Sequence, residues 1–302
     1  MYNEEGNAKL LHTEIVEVLQ KLGRPFEIIF VNDGSTDNTG EILQTLHPLK
    51  IITFRKNFGQ TAALDAGFKA SKGEYIVAMD GDGQNDPADI SNLVEYLEKN
   101  NLDVVSGWRK NRKDNKSKKI SSLLAAQVRK FLINDGIHDS GCTLKVYRKE
   151  CFEHVDLYGE MHRFIPAILK IKGFTIGEIV VNHRPRIVGV TKYNWRRGVK
   201  GILDMVSVWF WKKYANRPLH LFGTIGILLV FLGVVAFCIV LVQRIFFGLD
   251  LSDTALTIIS LFTTLVGVQF FVFGLMADIL SKTYFSVTSD KVYDIKKVSE
   301  NK

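Results

Sequence analysis

Two carboxylates one residue apart, Asp80 and Asp82, stand in the stretch Asp80-Gly81-Asp82-Gly83-Gln84, directly after the short apolar run Tyr75–Met79. Such a run, bounded by polar loops, predicts a strand buried on both faces. Carboxylates at the carboxyl end of a buried strand lie where open α/β sheets bind ligands. Oxygen-only ligands suit a hard divalent cation, Mg2+ or Mn2+, and that cation suits a diphosphate. The plainer reading is an acidic turn that caps the helix starting near Pro87. Asp33, in Asn32-Asp33-Gly34-Ser35-Thr36-Asp37, and Asn57, in Asn57-Phe58-Gly59, close two more predicted strands. Their convergence with Asp80 and Asp82 at one sheet edge favours a ligand site over a cap.

The elements that must hold these residues follow from patterning. Leu10, Leu11, Ile15, Val18, Leu19 and Leu22 recur at helical spacing. Strands are predicted over Phe26–Val31, Lys50–Phe54, Tyr75–Met79 and Asp103–Ser106, with helices over Gln60–Ala70 and Pro87–Asn100. Alternating strands and helices predict an α/β fold: a mostly parallel sheet with helices on both faces. Further strands are predicted at Cys142–Tyr147 and Gly177–Asn182.

Composition narrows the partners. The chain has 302 residues and net charge +7, which points to an anionic partner: nucleic acid, a phosphate ligand or a membrane surface. Its three cysteines, Cys142, Cys151 and Cys238, form no C-x-x-C pair, so neither a disulfide framework nor a zinc site is expected. No N-terminal signal peptide is recognisable.

Four motifs occur in order: Tyr2-Asn3-Glu4-Glu5, Asn32–Asp37, Arg55-Lys56-Asn57-Phe58-Gly59-Gln60 and Asp80–Gln84. On these, the chain over roughly residues 2–195 resembles family-2 glycosyltransferases of the GT-A fold. The resemblance implies an NDP-sugar donor and inversion at the anomeric carbon. Carried over, Tyr2, Glu4, Asp33, Asn57 and Asp80 would hold the donor nucleotide. Asp80, Asp82 and Gln84 would serve the metal, Mg2+ or Mn2+, and the diphosphate. In such enzymes a strand and a proline precede Tyr-Asn-Glu. The native start is therefore expected upstream of Met1, and a chain without that strand is expected to be less stable, with ladder hydrogen bonds unmade on its two neighbours.

The acceptor side begins with a basic run that includes Arg109 and Arg112, followed by Ile120, Leu123, Leu124, Val128, Phe131 and Leu132 as an apolar stripe opposite Arg129 and Lys130. A basic amphipathic helix of this kind suits an anionic membrane surface. Asp139, in His138-Asp139-Ser140-Gly141-Cys142, matches the acidic residue that lies beneath the acceptor nucleophile in glycosyltransferases of this fold. With Asp82 it forms the expected catalytic pair; a turn residue before a strand is its plainer reading. Arg186-Ile187-Val188-Gly189-Val190-Thr191-Lys192 resembles the acceptor loop of polyprenyl-phosphate glycosyltransferases of the dolichyl-phosphate mannose synthase and bacterial undecaprenyl-phosphate type. The resemblance assigns Arg186 to the acceptor phosphate, with Arg109, Arg112 and Arg129 as further candidates. A planar guanidinium grips phosphate bidentately, as lysine cannot.

The last third is of another kind. Residues 194–217 predict an interfacial amphipathic helix with Trp195, Val199, Ile202, Leu203, Val206, Trp209 and Phe210 on one side. Leu221–Val242 and Ala255–Met276 are each apolar enough to span a bilayer. The expected domains are a catalytic domain over 1–193, the interfacial helix, a two-span hairpin over 218–281 and a tail over 282–302. Lys212, Lys213 and Arg217 precede the first span and Lys282 follows the second, so positive-inside bias puts the catalytic domain in the cytoplasm. The expected partners are an NDP-sugar, a polyprenyl phosphate lipid and the cell membrane, with no nucleic acid; homo-oligomers are compatible. Two rival readings are a family-2 enzyme with a saccharide acceptor and a catalytically silent membrane scaffold.

Overall fold

Helices and strands alternate along the first part of the chain, in a computed structural model that describes residues 1–110, 136–153, 155, 157, 159–185, 196–248, 250 and 255–287. The chain divides into two units, Met1–Trp209 and Phe210–Lys302. The first contains α1 (Glu5–Leu22), β1 (Ile29–Asn32), α2 (Thr39–Gln44), β2 (Lys50–Thr53), α3 (Gln60–Ala70), β3 (Tyr75–Ala78), α4 (Asp89–Lys99), β4 (Val104–Trp108), β5 (Lys145–Arg148), α5 (Ile165–Ile171) and β6 (Ile176–Val180). In α1 the buried stripe is Ala8, Leu11 and Ile15, whereas Leu10, expected in it, is half exposed on the outer face. The helix stops at Gly23, whose φ of +67° suits glycine and whose N–H caps the Gln20 carbonyl.

The expected α/β architecture with helices on both faces is present, but its sheet is mixed rather than mostly parallel. β1 and β2 pair parallel as one small sheet. A second sheet has the order β3-β5-β4-β6, in which β4 and β6 are parallel while β5 runs antiparallel to both β3 and β4. The reason lies in the connection. The chain leaves β4 at Arg109 and returns to β5 from Asp139, and these two residues form an ion pair. A strand re-entering at the end its predecessor left must run antiparallel. β3 is also less buried than expected: Ile76 and Ala78 are buried, Tyr75 and Val77 only half so, because β3 has one strand neighbour among the described residues.

One face of the second sheet, with Ile76, Ala78, Val104 and Tyr147, packs on Phe68 of α3 and Ile165 and Leu169 of α5. The other, with Val105 and Val146, packs on Ile90, Leu93, Val94 and Leu97 of α4. α1 covers Phe30 of β1 and Ile28 just before it. Where a first strand was expected, Met1 supplies part of a ladder: its ammonium donates to the Val31 carbonyl and its carbonyl accepts from Asp33 N–H. Its side chain lies against Gly81, where a Cβ would come within 2.7 Å of it.

A further helix, α6 (Arg196–Tyr214), includes the chain position where the two units divide. Met205 and Val208 are its buried pair, packed on Phe164 and Ala167. Leu203 and Val206, from the expected apolar side, are exposed instead, since residues three apart share one face and that face here meets Phe164.

The second unit holds α7 (Pro218–Phe247) and α8 (Ala255–Val287), both long and apolar enough to cross a membrane. Both exceed the expected spans, and α8 continues past residue 281. They pack through small residues. A Cβ on Gly226 would sit 2.7 Å from the Gly267 carbonyl oxygen, and one on Gly267 would sit 2.6 Å from Val230 N. Backbones this close require glycine. Ser260 and Thr264 turn their hydroxyls onto carbonyls of their own helix, at Thr257 and Ser260.

Candidate active site

β1, β2, β3 and β4 all deliver chain to the same group of loops. Asp33, one residue beyond β1, is 4% exposed and accepts three hydrogen bonds from the segment after β2: Asn57 Nδ2 at 3.0 Å, Phe58 N at 2.7 Å and Gly59 N at 3.0 Å. Gly34 makes this possible, because a Cβ there would collide with the backbone of Lys56 and Asn57. Asp33 and Asn57, both expected at the donor nucleotide, therefore hold each other. The loop is also stitched to the N-terminal segment that carries Tyr2 and Glu4. Asn3 N donates to Ser35 Oγ, Thr36 N to Asn3 Oδ1, and Glu4 N to Thr39 Oγ1. Tyr2 is exposed, and the Glu4 carboxylate accepts from Asn7 Nδ2 at 2.6 Å.

Asp80 comes next, just past β3. Its Oδ1 accepts from Gln60 Nε2 at 2.7 Å and its Oδ2 from Thr143 Oγ1 at 2.5 Å, while its N–H donates to Asn85 Oδ1. Gln60 follows the segment that Asp33 holds, so one hydrogen-bonded chain runs from Asp33 to Asp80. Burial pushes the Asp80 carboxyl above the ordinary aspartate range. The Thr143 hydrogen bond opposes this and the neighbouring Asp82 charge adds to it. Asp82 Oδ1 accepts from Gln84 N at 3.1 Å, and Gly83 takes φ +72° in the turn between them. Among the described residues no cluster of three or more His, Cys, Asp or Glu could hold a metal by itself. Two carboxylates from one turn fit an ion that takes its remaining ligands from phosphate oxygens and water, the habit of Mg2+ and similar hard cations.

Asp139 and Arg109, both expected on the acceptor side, form an ion pair. Arg109 Nε donates to Asp139 Oδ2 at 2.7 Å and Nη2 to Oδ1 at 3.0 Å, a fork-to-fork pair with both side chains mostly buried. The Asp139 charge holds the guanidinium above its ordinary pKa against the opposing effect of burial. The turn is fixed from below by Glu178 of β6, whose carboxylate accepts from His138 N, His138 Nδ1 and Asp139 N. His138 stacks on Trp108, 4.4 Å between ring centroids. Arg109 and Asp139 thus stand together where separate roles were expected. Thr143, four residues after Asp139, grips Asp80, so the carboxylates expected at the donor and at the acceptor are bridged by one turn. Arg112, Arg129 and Arg186 lie outside the described residues, as does the expected basic helix.

The segment leading to Arg186 is nonetheless well tied. Arg184 N donates to the Gln84 carbonyl, its Nη1 to Glu14 Oε2 at 2.7 Å and its Nη2 to Asp86 Oδ1 at 2.8 Å, and Asn85 pairs with His183 in a β-bridge. Sequence reasoning missed Gln60, Thr143, Asn85, Arg184 and Glu178. Lys145 was missed as well; its signal is a charge inside the otherwise apolar run Leu144–Tyr147, and that of Gln60 is its place at the end of the motif Arg55–Gln60.

Comparison with known proteins places this geometry. Over its whole length the chain is 35% identical to dodecaprenyl-phosphate galacturonate synthase of Rhizobium johnstonii, covering 91% of that protein. It is 28% identical to undecaprenyl-phosphate 4-deoxy-4-formamido-L-arabinose transferase of Pectobacterium atrosepticum, over 98% of this chain and 91% of the other. Its fold is similar to that of glucosyl-3-phosphoglycerate synthase from Mycobacterium tuberculosis, solved with Mn2+, UDP-glucose and phosphoglyceric acid. That match has a TM-score of 0.52 at 16% identity and covers 70% of this chain and 77% of the other. Residues 1–156, over half the chain, match the profile of glycosyl transferase family 2. With loops that gather carboxylates at the ends of β1 and β3 and a full-length relative of that similarity, the chain belongs to glycosyl transferase family 2 and is a glycosyltransferase.

Proposed function

We propose that this glycosyltransferase moves a sugar from an NDP-sugar to a polyprenyl phosphate at the cytoplasmic face of a membrane, with inversion at the anomeric carbon. The observation that carries the reading is the turn 139–143. It sets the Arg109–Asp139 pair beside the carboxylate that would face the donor, Asp80. The names of the full-length relatives, both polyprenyl-phosphate sugar enzymes, support it.

Asp33 and Asn57 shape the nucleotide pocket, and Tyr2 and Glu4 line its rim. Asp80, Asp82 and Gln84 would hold a Mg2+ or Mn2+, which would offset the charge gathering on the leaving diphosphate. An oxygen of the acceptor phosphate bonds to the anomeric carbon as the bond from that carbon to the donor diphosphate breaks, and the nucleoside diphosphate leaves with the electron pair. A phosphate monoester has its second pKa near ~6, so the nucleophile is already ionised at neutral pH and needs no strong base. Asp139 is engaged with Arg109 and orients that guanidinium toward the acceptor phosphate. Arg112, Arg129 and Arg186 are further acceptor ligands on this reading.

α7 and α8 would form a two-span hairpin, and the lysines and arginines flanking it, Lys212, Lys213, Arg217 and Lys282, keep both ends in the cytoplasm. The test is a donor screen with radiolabelled NDP-sugars, UDP-galacturonate included, and undecaprenyl phosphate in detergent. Chloroform-soluble label from one donor, lost on chelation, is the expected result. Label that stays in a water-soluble saccharide would replace the reading with a saccharide acceptor.

A further inference from the structure

Lys145 lies beneath the site and takes no part in the chemistry above. It is 2% exposed, in the middle of a sheet. In register it stands opposite Ala78 of β3 and Ser106 of β4, two small residues that leave room for its side chain. Its ammonium donates to the carbonyls of Cys142 and Ser140. No carboxylate lies within ion-pair reach of it among the described residues. The buried Ser106 hydroxyl on the neighbouring strand has no hydrogen-bond partner among the described residues. A cation so placed is costly to bury, and an apolar side chain of similar volume commonly serves stability as well or better. The fold alone does not call for a lysine here.

The carbonyls it grips are informative. Ser140 follows Asp139, and Cys142 precedes Thr143. The same short turn carries the carboxylate locked to Arg109 and the hydroxyl locked to Asp80. Gly107 lets the turn lie directly on β4, since a Cβ there would be 2.9 Å from the Leu144 carbonyl and 3.1 Å from Cys142 Sγ. We propose that Lys145 is a positioning residue that pins the 139–143 turn to the sheet, so that the donor-side carboxylate Asp80 and the acceptor-side pair Arg109–Asp139 keep a fixed separation. Burial pulls the Lys145 amine below the ordinary lysine range, and Cys142, Asp139 and Asp80 draw it back up. The electrostatic reach of both aspartates agrees with a place between the two half-sites.

The role in turnover rests on the transfer reaction proposed above, so the test has one arm that does not. Full-length Lys145→Met is compared with the wild type. Its melting temperature is expected to hold or rise. Amide exchange in peptides covering 139–144 is expected to quicken about tenfold while α4 keeps its protection. kcat is expected to fall roughly 10- to 100-fold, as for a displacement of about 1 Å, with the donor KM nearly unchanged. Thr143→Val, which frees Asp80 but leaves Lys145 in place, is expected to lower kcat without loosening residues 139–142. Unchanged exchange and kcat in Lys145→Met would overturn the proposal. So would a fall in melting temperature that accounts for the lost activity, because Lys145 would then only support the fold. Should the wild type transfer no sugar to polyprenyl phosphate, the transfer reading falls, and the exchange arm still decides whether Lys145 pins the turn.

Discussion

The two units place their apolar side chains in opposite ways. In Met1–Trp209, Leu43, Leu93, Leu97, Val104 and Val146 are fully buried, and the core lies between the sheets and their helices. From Phe210 onward the large apolar residues point outward: Phe231, Phe246, Ile258 and Phe262 are all more than 60% exposed. The residues buried between α7 and α8 include Gly223, Gly226, Gly233, Ser260, Gly267 and Gly274. Water drives the first arrangement, at about 25 cal/mol per Å² of apolar area removed. In lipid that drive vanishes, and helices associate through close backbone packing instead. Glycine shows the contrast within one chain. Gly34 is required because a loop must cross another in a left-handed conformation, φ +67°. Gly226 is required because two helices touch.

The contrast can be broken at four strengths. Asp82→Asn should give the largest effect, a loss of sugar transfer of about 10³-fold or more, read by the radiolabel assay, with the protein recovered from the membrane fraction as the wild type is. A variant that kept most activity would move the charge-handling role away from Asp82. Gly226→Leu should come next. Its side chain would meet the Gly267 carbonyl and Phe271 N, an overpacking of about 3 kcal/mol or more. The hairpin should unfold at lower denaturant, while the first unit, followed by its own melting transition, stays near wild type.

Asp33→Asn replaces a buried carboxylate that accepts three hydrogen bonds, one of them from a side-chain amide and two from backbone. Charge-assisted bonds of this kind suggest a loss of about 2 kcal/mol, visible as a lower melting temperature of the first unit and a weaker grip on the nucleotide. The smallest effect belongs to Glu98→Gln at the surface. Glu98 is held below the ordinary glutamate value of 4.5, first by its hydrogen bond from Arg24. A depressed folded pKa adds stability above the unfolded value and loses it as pH falls through the folded one. The wild type should therefore melt slightly higher than Glu98→Gln at pH 7, the gap closing as pH drops below 4.5. A gap that widened in acid would refute the assignment.

Much of the expected donor side was legible because its residues occupy short motifs at strand ends. Asp33, Asn57, Asp80 and Asp82 needed only the strand–loop pattern to be gathered at one edge. The expected acceptor side was less so. Asp139 and Arg109 could each be singled out, but their pairing depends on β5 folding back antiparallel beside β4, and no local period carries strand direction. Leu10, Leu203 and Val206 fit the helical spacing of their stripes and still face outward, because periodicity proposes a face and the neighbouring element chooses it.

By itself the order of residues settled the class of the molecule: alternating strands and helices, a pair of aspartates after a buried strand, and two apolar stretches long enough to cross a bilayer. These are properties of local composition and spacing, which any window of the chain displays. Tertiary structure alone decided that Thr143 and Gln60 hold Asp80, that Asp139 is committed to Arg109, and that Lys145 lies beneath them. Each of those contacts joins residues twenty or more apart in the chain, or depends on a strand inserted between two others, and hydrogen bonds of a few ångströms form only once the sheet has brought their partners together.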